Sequence, residues 1–557
     1  MLRHVPPVAT RPFAQRLDTA LLAAAESLGY VGVLGDSITA RRFRLPARMR
    51  GCGIRRRWSM APACYAASFV ESAAVMVRPD ARAAWGAPAV ADPRSFFPGL
   101  YSWLGVHSFE EGGTRLEQYL EVGAVEGRRS AGHFADAWAE MRAEVVMGRG
   151  TGPLDVPVHL AGRGVERQLQ RDITAQREQV ARDALHRDIM QLPHGDTRRE
   201  AWFACDAFSC AWVYSFPTER DYLSSQELSE VFTTYLGRES AAVRRLAGQS
   251  IPDSQRERRC DAYGRQLGLA CLPGRSHADC HDGIRDRVVG DVLQSGVRGE
   301  MEAAHLFASV VPVRAQGENS GLRPDARLAG VDMPRDIYRL PPVPPGMRRT
   351  AEELVAARRR RGAQPPPGST RGLDLLWDIK TIHGGSDSYT CALARDAQGG
   401  AVTQRARQVD AEYARIALRL DRGVAGTVTA RLREWPAVRA LVFGQYGEGS
   451  ADVHDLLRAA ARSAAADRWA RMGARSAAEA TSYFTTQMRR SWGVAAVREM
   501  ARHRLRRTCF VGVTRARARV LAGREDAPAE ARGDAPAWPL GDAAAFHVHQ
   551  GHHHAPP

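Results

Sequence analysis

The stretch LLWDIKTIHGG, residues 375–385, sets an acid and a lysine two positions apart inside an apolar run. Such a run predicts a β-strand. Residues i and i+2 of a strand share a face, so Asp378 and Lys380 point one way while Trp377 and Ile379 point the other, into packing. Two readings follow. The charges form a salt-bridge stripe on a half-exposed strand, or they are two parts of a site whose third part lies elsewhere.

A third part stands upstream in GLRPDARLAG, residues 321–330, where Pro324 precedes Asp325. Proline fixes the backbone at a strand end and gives the next side chain a defined direction. Glu302, in GEMEAAHLF at 299–307, is a further candidate, with Glu300 as its competitor and a solvated charge as the alternative. Two acids and a lysine suit hydrolysis of a phosphodiester. Carboxylates hold Mg²⁺ (or Mn²⁺), which prefers oxygen ligands and keeps several waters. The metal polarises the phosphoryl oxygen, and the lysine orients or helps deprotonate the attacking water and offsets charge building on the phosphate. The pattern P-D…D-x-K is short, and Asp378 follows Asp325 by 53 residues, so the intervening block must be an excursion between two strands.

That block, 341–372, carries PPVPPG, a run of four arginines at 358–361 and PPPG, and predicts an extended insert around a short helix at 351–361. The four arginines suit nuclear import or a phosphate patch, or else a solvated helix face. Flanking it, the texture alternates. A helix is predicted at 280–296, strands at 310–313 (VVPV), 322–330 and 375–382, a long helix at 401–420, a strand at 438–447 and a helix at 450–473. This order implies an α/β domain. We place that domain at 255–515, after a basic strip and helix in 1–75 and a mostly helical region in 76–254, and before a disordered tail in 516–557. Helices in the early regions read from Phe13 to Leu28, from 178 to 192 (EQVARDALHRDIMQL) and from 224 to 237 (SSQELSEVFTTYLG), the last with serine at an N-cap position and a closing glycine.

Lys plus Arg outnumber Asp plus Glu by 78 to 62 across 557 residues, a formal charge of +16, nearly all of it from arginine. Such a surface attracts polyanions, of which nucleic acid is the commonest; a GC-rich genome gives the same excess without a binding role. The nine cysteines are scattered and odd in number, which argues against a disulfide framework and for a reducing compartment. No signal-peptide-like start and no apolar run of about 18 or more residues stands out, so the expected protein is intracellular, with no membrane span.

Two further groups are candidates. Cys260, Cys271, His277 and Cys280 (or His281) offer soft and imidazole ligands for Zn²⁺, though the spacing departs from a standard knuckle. The alternative is a loop with small buried cysteines, with His281 packing or capping the helix that follows. Gln404, Arg405 and Arg407, on the first turns after the lysine strand, would contact the scissile phosphate or DNA backbone, or form an exposed basic face. Tyr413 and Trp469 read as core.

Several segments resemble the part of non-LTR (LINE-type) retroelement polyproteins that follows the reverse transcriptase palm. RFRLPARMRGCGIRRRWSMAPACYAASF (42–69) is similar to the strip and helix after the palm, and 208–237 to the linker with its buried tryptophan. CDAYGRQLGLACLPGRSHADCHDGIRD (260–286) resembles the Cys/His segment of these elements. RPDARL (323–328), LLWDIKTIHG (375–384) and FGQYGEGSADVHDLLRAAA (443–461) resemble their restriction-endonuclease-like PD-(D/E)xK domain. The resemblance implies an α/β restriction-endonuclease-like core preceded by a mostly helical region. It implies a Mg²⁺-dependent DNA endonuclease of a transposable element, with Asp325, Asp378 and Lys380 catalytic, DNA and element RNA as partners, and a nuclear location. No Y/F-x-D-D turn of a polymerase occurs, so DNA synthesis is not expected. A decayed nucleic-acid-binding protein of the same fold and a helical scaffold protein are the rival expectations.

Overall fold

A computed structural model describes residues 7–27, 35–55, 169–215, 220–312, 321–329, 374–391, 394–435 and 437–525, with a few isolated positions at 57–68, 218 and 331. The predicted insert at 341–372, with its short helix and arginine run, lies outside the described residues. So do positions 76–168 and 526–557.

The described chain opens with α1 (Pro7–Ser27) and α2 (Ser37–Arg44), then α3 (Leu169–Met190), α4 (Thr197–Ala204) and α5 (Ser225–Leu236). A short antiparallel hairpin, β1 (Ser250–Ile251) with β2 (Arg258–Arg259), precedes α6 (Arg265–Leu269) and α7 (Ser276–Gln294). Four strands follow as one sheet, β3 (Arg298–Met301), β4 (Ala326–Ala329), β5 (Asp374–Ile382) and β6 (Arg439–Gly444), in that spatial order. Between β5 and β6 run α8 (Asp387–Thr390), α9 (Gly400–Leu420) and α10 (Thr427–Arg433). The chain then enters α11 (Ala451–Arg468), α12 (Ala477–Arg507) and α13 (Arg515–Glu525).

β3–β4 and β4–β5 are antiparallel, whereas β5 and β6 run parallel. A parallel pair needs a long crossover, which α8–α10 supply. β5 is an inner strand, and its two faces are buried against different helices. Leu375, Trp377 and Ile379 join Leu441 and Phe443 in a core with Val288 of α7 and Trp492 of α12. Leu376 and Ile382 join Ala440 and Val442 in a second core with Val409 and Tyr413 of α9. A strand covered on both sides reads as a continuous apolar run, which is why 375–382 looked so uniform. Trp377 is fully buried; its truncation to alanine would cost about 3–5 kcal/mol.

Local signals explain the helix ends. Ser224 and Glu227 form a reciprocal capping box at α5. Gly237 closes that helix with φ +71°, and a Cβ there would sit 2.5 Å from the Thr197 carbonyl, so glycine is required by conformation and by space.

The structure departs from the sequence reading in four places. The first sheet strand is β3, not 310–313; residues 310 and 311 form a turn after a 3-10 helix at Ala303–Phe307. β3 is a short edge strand whose RGEM sequence is mostly exposed, so it has no apolar periodicity to read. Trp469 is exposed at the end of α11 rather than in the core. The tail read as disordered from 516 instead begins as helix, since α13 continues to Glu525. Part of the basic strip at 41–58 is buried. Arg42 is buried between the Trp202 and Tyr235 rings and donates to the Arg50 carbonyl at 3.0 Å. Arg48 and Arg55 both pair with Glu178.

Candidate active site

Four elements meet at one cavity of about 400 Å³. α7 contributes His281, Asp282 and Arg285; the start of β4 contributes Asp325; β5 contributes Asp378 and Lys380; α9 contributes Tyr413. Asp378 and Lys380 share the β5 face that packs on α9, the face of Leu376 and Ile382. Tyr413 lies on the buried stripe of α9 with Val402, Val409 and Ala417.

Asp325 precedes β4 by one residue. Its own carbonyl accepts from Glu302 N at 2.8 Å, and the Pro324 carbonyl accepts from Ala303 N at 3.1 Å, so the Pro-Asp step continues the β3–β4 ladder and is held rigid. Its Oδ2 accepts the Ile379 N–H at 2.6 Å and contacts His281 Nε2 at 3.1 Å. Asp325 therefore lies across the backbone of β5 beside Asp378.

Asp378 is 2% exposed. Its Oδ1 accepts from the Tyr413 hydroxyl at 2.9 Å, and its Oδ2 faces the Lys380 ammonium at 2.8 Å. Oδ2 has no hydrogen bond of good geometry. Burial raises the Asp378 pKa, and the charge of Asp325 pushes the same way; Lys380 and Tyr413 pull it down without prevailing. Burial pushes the His281 imidazole down, but Asp325 and Asp282 outweigh it and carry its pKa up to about 9. His281 is thus a cation at neutral pH, clamped between two carboxylates.

Two partly desolvated carboxylates with one ill-satisfied oxygen form a hard-oxygen donor set of the kind Mg²⁺ takes, since that ion is held by one or two carboxylates and otherwise by water and phosphate. Glu302 does not complete it. Its backbone is in the left-handed region at φ 56°, and its carboxylate turns to Arg285 at 3.0 Å. Among the described residues, Asp325, Asp378 and Glu302 do not converge as a three-ligand group.

Neither a protein-family model nor a curated protein matches this chain.

The remaining predicted residues are separated. Cys260 packs with Val243, Ile251 and Leu267, whereas Cys280 lies in the sheet core against Met500; Cys271 is exposed. These three with His277 do not form a ligand group. Gln404 donates to Cys391 Sγ at 3.0 Å, Arg405 pairs with Glu412, and Arg407 is exposed; none of the three lines the cavity.

The arginines that do line it are Arg275, Arg285 and Arg323. Sequence reading missed them and the pairing of His281 with Asp325, because nothing local marks an α7 side chain as facing β4. One signal was available. Of the chain's 78 Lys and Arg residues a single one is lysine, and it is Lys380. Every other cationic position is arginine, so a lysine in the D-x-K position stands against the composition of the whole chain. The two side chains are not interchangeable: ammonium is compact and can yield a proton, while guanidinium is planar and holds its charge.

Proposed function

We propose that the chain is a metal-dependent endonuclease with a restriction-endonuclease-like fold that hydrolyses a DNA phosphodiester. The observation that carries this reading is the placement of the only lysine, 2.8 Å from buried Asp378 and in one cavity with Asp325. The similarity of 323–328 and 375–384 to the endonuclease domain of non-LTR retroelements points to DNA as the substrate and to a retroelement origin.

A Mg²⁺ held by Asp325 and Asp378 would supply Lewis-acid chemistry at the phosphoryl oxygen. The chain's own groups have separate tasks. Lys380 holds the attacking water and offsets negative charge on the phosphorane. Tyr413 fixes the Asp378 carboxylate through Oδ1, leaving Oδ2 toward the reacting centre. His281⁺ and the Ile379 N–H hold Asp325 in place. Arg275 and Arg323, from α7's start and the Pro-Asp approach, bring positive charge to the cavity wall, where a phosphate backbone would bind.

The second reading is binding without cleavage. Asp325 Oδ2 already meets two partners, and Glu302 is taken by Arg285. One assay separates the two. Purified protein is incubated with supercoiled plasmid and Mg²⁺ or Mn²⁺, beside Asp378→Ala and Lys380→Ala. Nicking by the wild type alone supports the nuclease. Wild type that nicks no faster than the variants, while all three retain DNA, establishes the binding reading instead.

A further inference from the structure

Past the end of β5, three imidazoles converge from distant parts of the chain. His277 stands on the first turn of α7, His383 follows β5 by one residue, and His503 lies near the end of α12. One ring nitrogen of each lies within 4.8 Å of the others. The rings pack closely, with centroids 4.3 Å apart for the stacked His383–His503 pair and 4.4 Å for the tilted His277–His503 pair.

Hydrogen bonding does not account for this packing. His383 Nε2 is sealed from solvent and has no partner. His503 Nδ1 meets the Ser276 carbonyl at 3.0 Å and so carries the proton, which leaves Nε2 as a bare acceptor. Arg507 Nη1 lies 2.9 Å from that Nε2, 2.9 Å from His277 Nε2 and 2.9 Å from the Gly268 carbonyl. A terminal guanidinium nitrogen has two hydrogens and cannot serve three such contacts at once, and His383 Nε2 has none. Buried acceptors without donors are costly, and a cation among them removes the deficit.

We propose that His277, His383 and His503 bind one divalent transition-metal ion of the zinc class, with Arg507 Nη1 standing between two of the ligand nitrogens in the metal-free form. Imidazole selects such ions, whereas Mg²⁺ prefers oxygen. Tetrahedral zinc with bonds of about 2.0–2.1 Å sets its nitrogens about 3.3–3.4 Å apart, so the rings need to close by roughly an ångström as the guanidinium falls back on Gly268 and Ala270. Three histidines leave a fourth position for water. The ion would tie α7 and α12 to the end of β5, bracing the strand that carries Asp378 and Lys380. This site replaces the cysteine set expected from sequence and shares only His277 with it. It does not depend on whether the chain cuts DNA.

The test uses full-length protein, stripped with a chelator, reloaded with Zn²⁺ and freed of excess metal. Bound zinc per chain and the melting temperature are measured for the wild type, His277→Ala and His383→Ala. The chain's end, HVHQGHHHAPP at 547–557, can take up zinc itself. All three proteins keep it, so the histidine cluster is read as the difference between them. We expect one more zinc per chain in the wild type than in either variant, and a zinc-dependent rise in melting temperature confined to the wild type. His277 is exposed, so its substitution is the one least able to disturb folding. Equal zinc content in wild type and His277→Ala, or no thermal response of the wild type to zinc, overturns the proposal. Neither readout involves cleavage, so an inactive nuclease with a zinc site and an active one without it are distinguishable.

Discussion

The Tyr413 hydroxyl donates to Asp378 Oδ1 at 2.9 Å, so the crossover helix that covers β5 also orients the acid at its centre. Burial raises the phenol's pKa well above its usual value, and the Asp378 carboxylate adds to that, so Tyr413 remains a donor at any working pH. Tyr413→Phe keeps the ring in its core position and removes the bond. A hydrogen bond to a charged group contributes about 1.5–3 kcal/mol, so plasmid nicking should fall by about tenfold or more. The denaturant midpoint should fall as well, because the buried Asp378 Oδ1 loses its donor. A variant that nicks at the wild-type rate would separate Tyr413 from the chemistry.

Lys380→Arg retains the charge and changes the shape. Arginine holds its proton, and its planar guanidinium cannot reproduce the compact ammonium beside Asp378. Cleavage should drop at least about 100-fold, in the range seen on losing a positioned proton-transfer group. Plasmid binding at fixed salt, followed by gel shift without divalent metal, should be unchanged. Full activity in this variant would reduce the lone lysine to a compositional accident.

Two arginines test where the basic charge acts. Arg42 is buried and holds the Arg50 and Ala201 carbonyls, so Arg42→Ala should destabilise the fold by about 2–4 kcal/mol, read as a lower urea midpoint. The salt dependence of DNA binding should not change. Arg323 lines the cavity, and Arg323→Ala should lower the slope of log K against log salt by about one while leaving the urea midpoint alone.

Glu448 supplies a pH test. It is fully buried beneath β6, and its oxygens accept from Tyr389 and from the Tyr446 N–H. Burial pushes its pKa up to about 8; those hydrogen bonds oppose the shift without cancelling it. Between the unfolded carboxyl's range and pH 8 the folded chain therefore holds a proton that the unfolded chain has lost. Stability must fall as pH rises across that window, by an amount on the order of a few kcal/mol. Glu448→Gln should flatten the curve between about pH 5 and 8 and be the more stable protein at pH 8. Parallel curves for the two would show that Glu448 does not carry the titration.

β5, β4, β6, α5, α9 and α11 could all be read from the sequence because each is specified by what lies close along the chain. An apolar run, a three-and-four spacing, a serine three residues before a glutamate and a glycine at a left-handed turn act locally. So does the shared direction of Asp378 and Lys380, a consequence of strand geometry alone. β3 escaped because an edge strand draws its hydrogen bonds from β4 and needs no apolar pattern of its own.

The rest depends on contacts between segments far apart in number. His281 meets Asp325, Tyr413 meets Asp378, and three histidines from α7, β5's end and α12 share one space, none of which a local pattern encodes. The same folding that gathers them withdraws others. Arg42 became an internal partner of rings and carbonyls, Arg48 and Arg55 turned to Glu178, and Gln404 and Arg405 turned to neighbours on their own side of α9. Residue type and spacing decided which chemistry the chain has available. Which groups meet was decided by packing, because burial forces each charged or polar group to find a partner and only the folded chain determines which one is within reach.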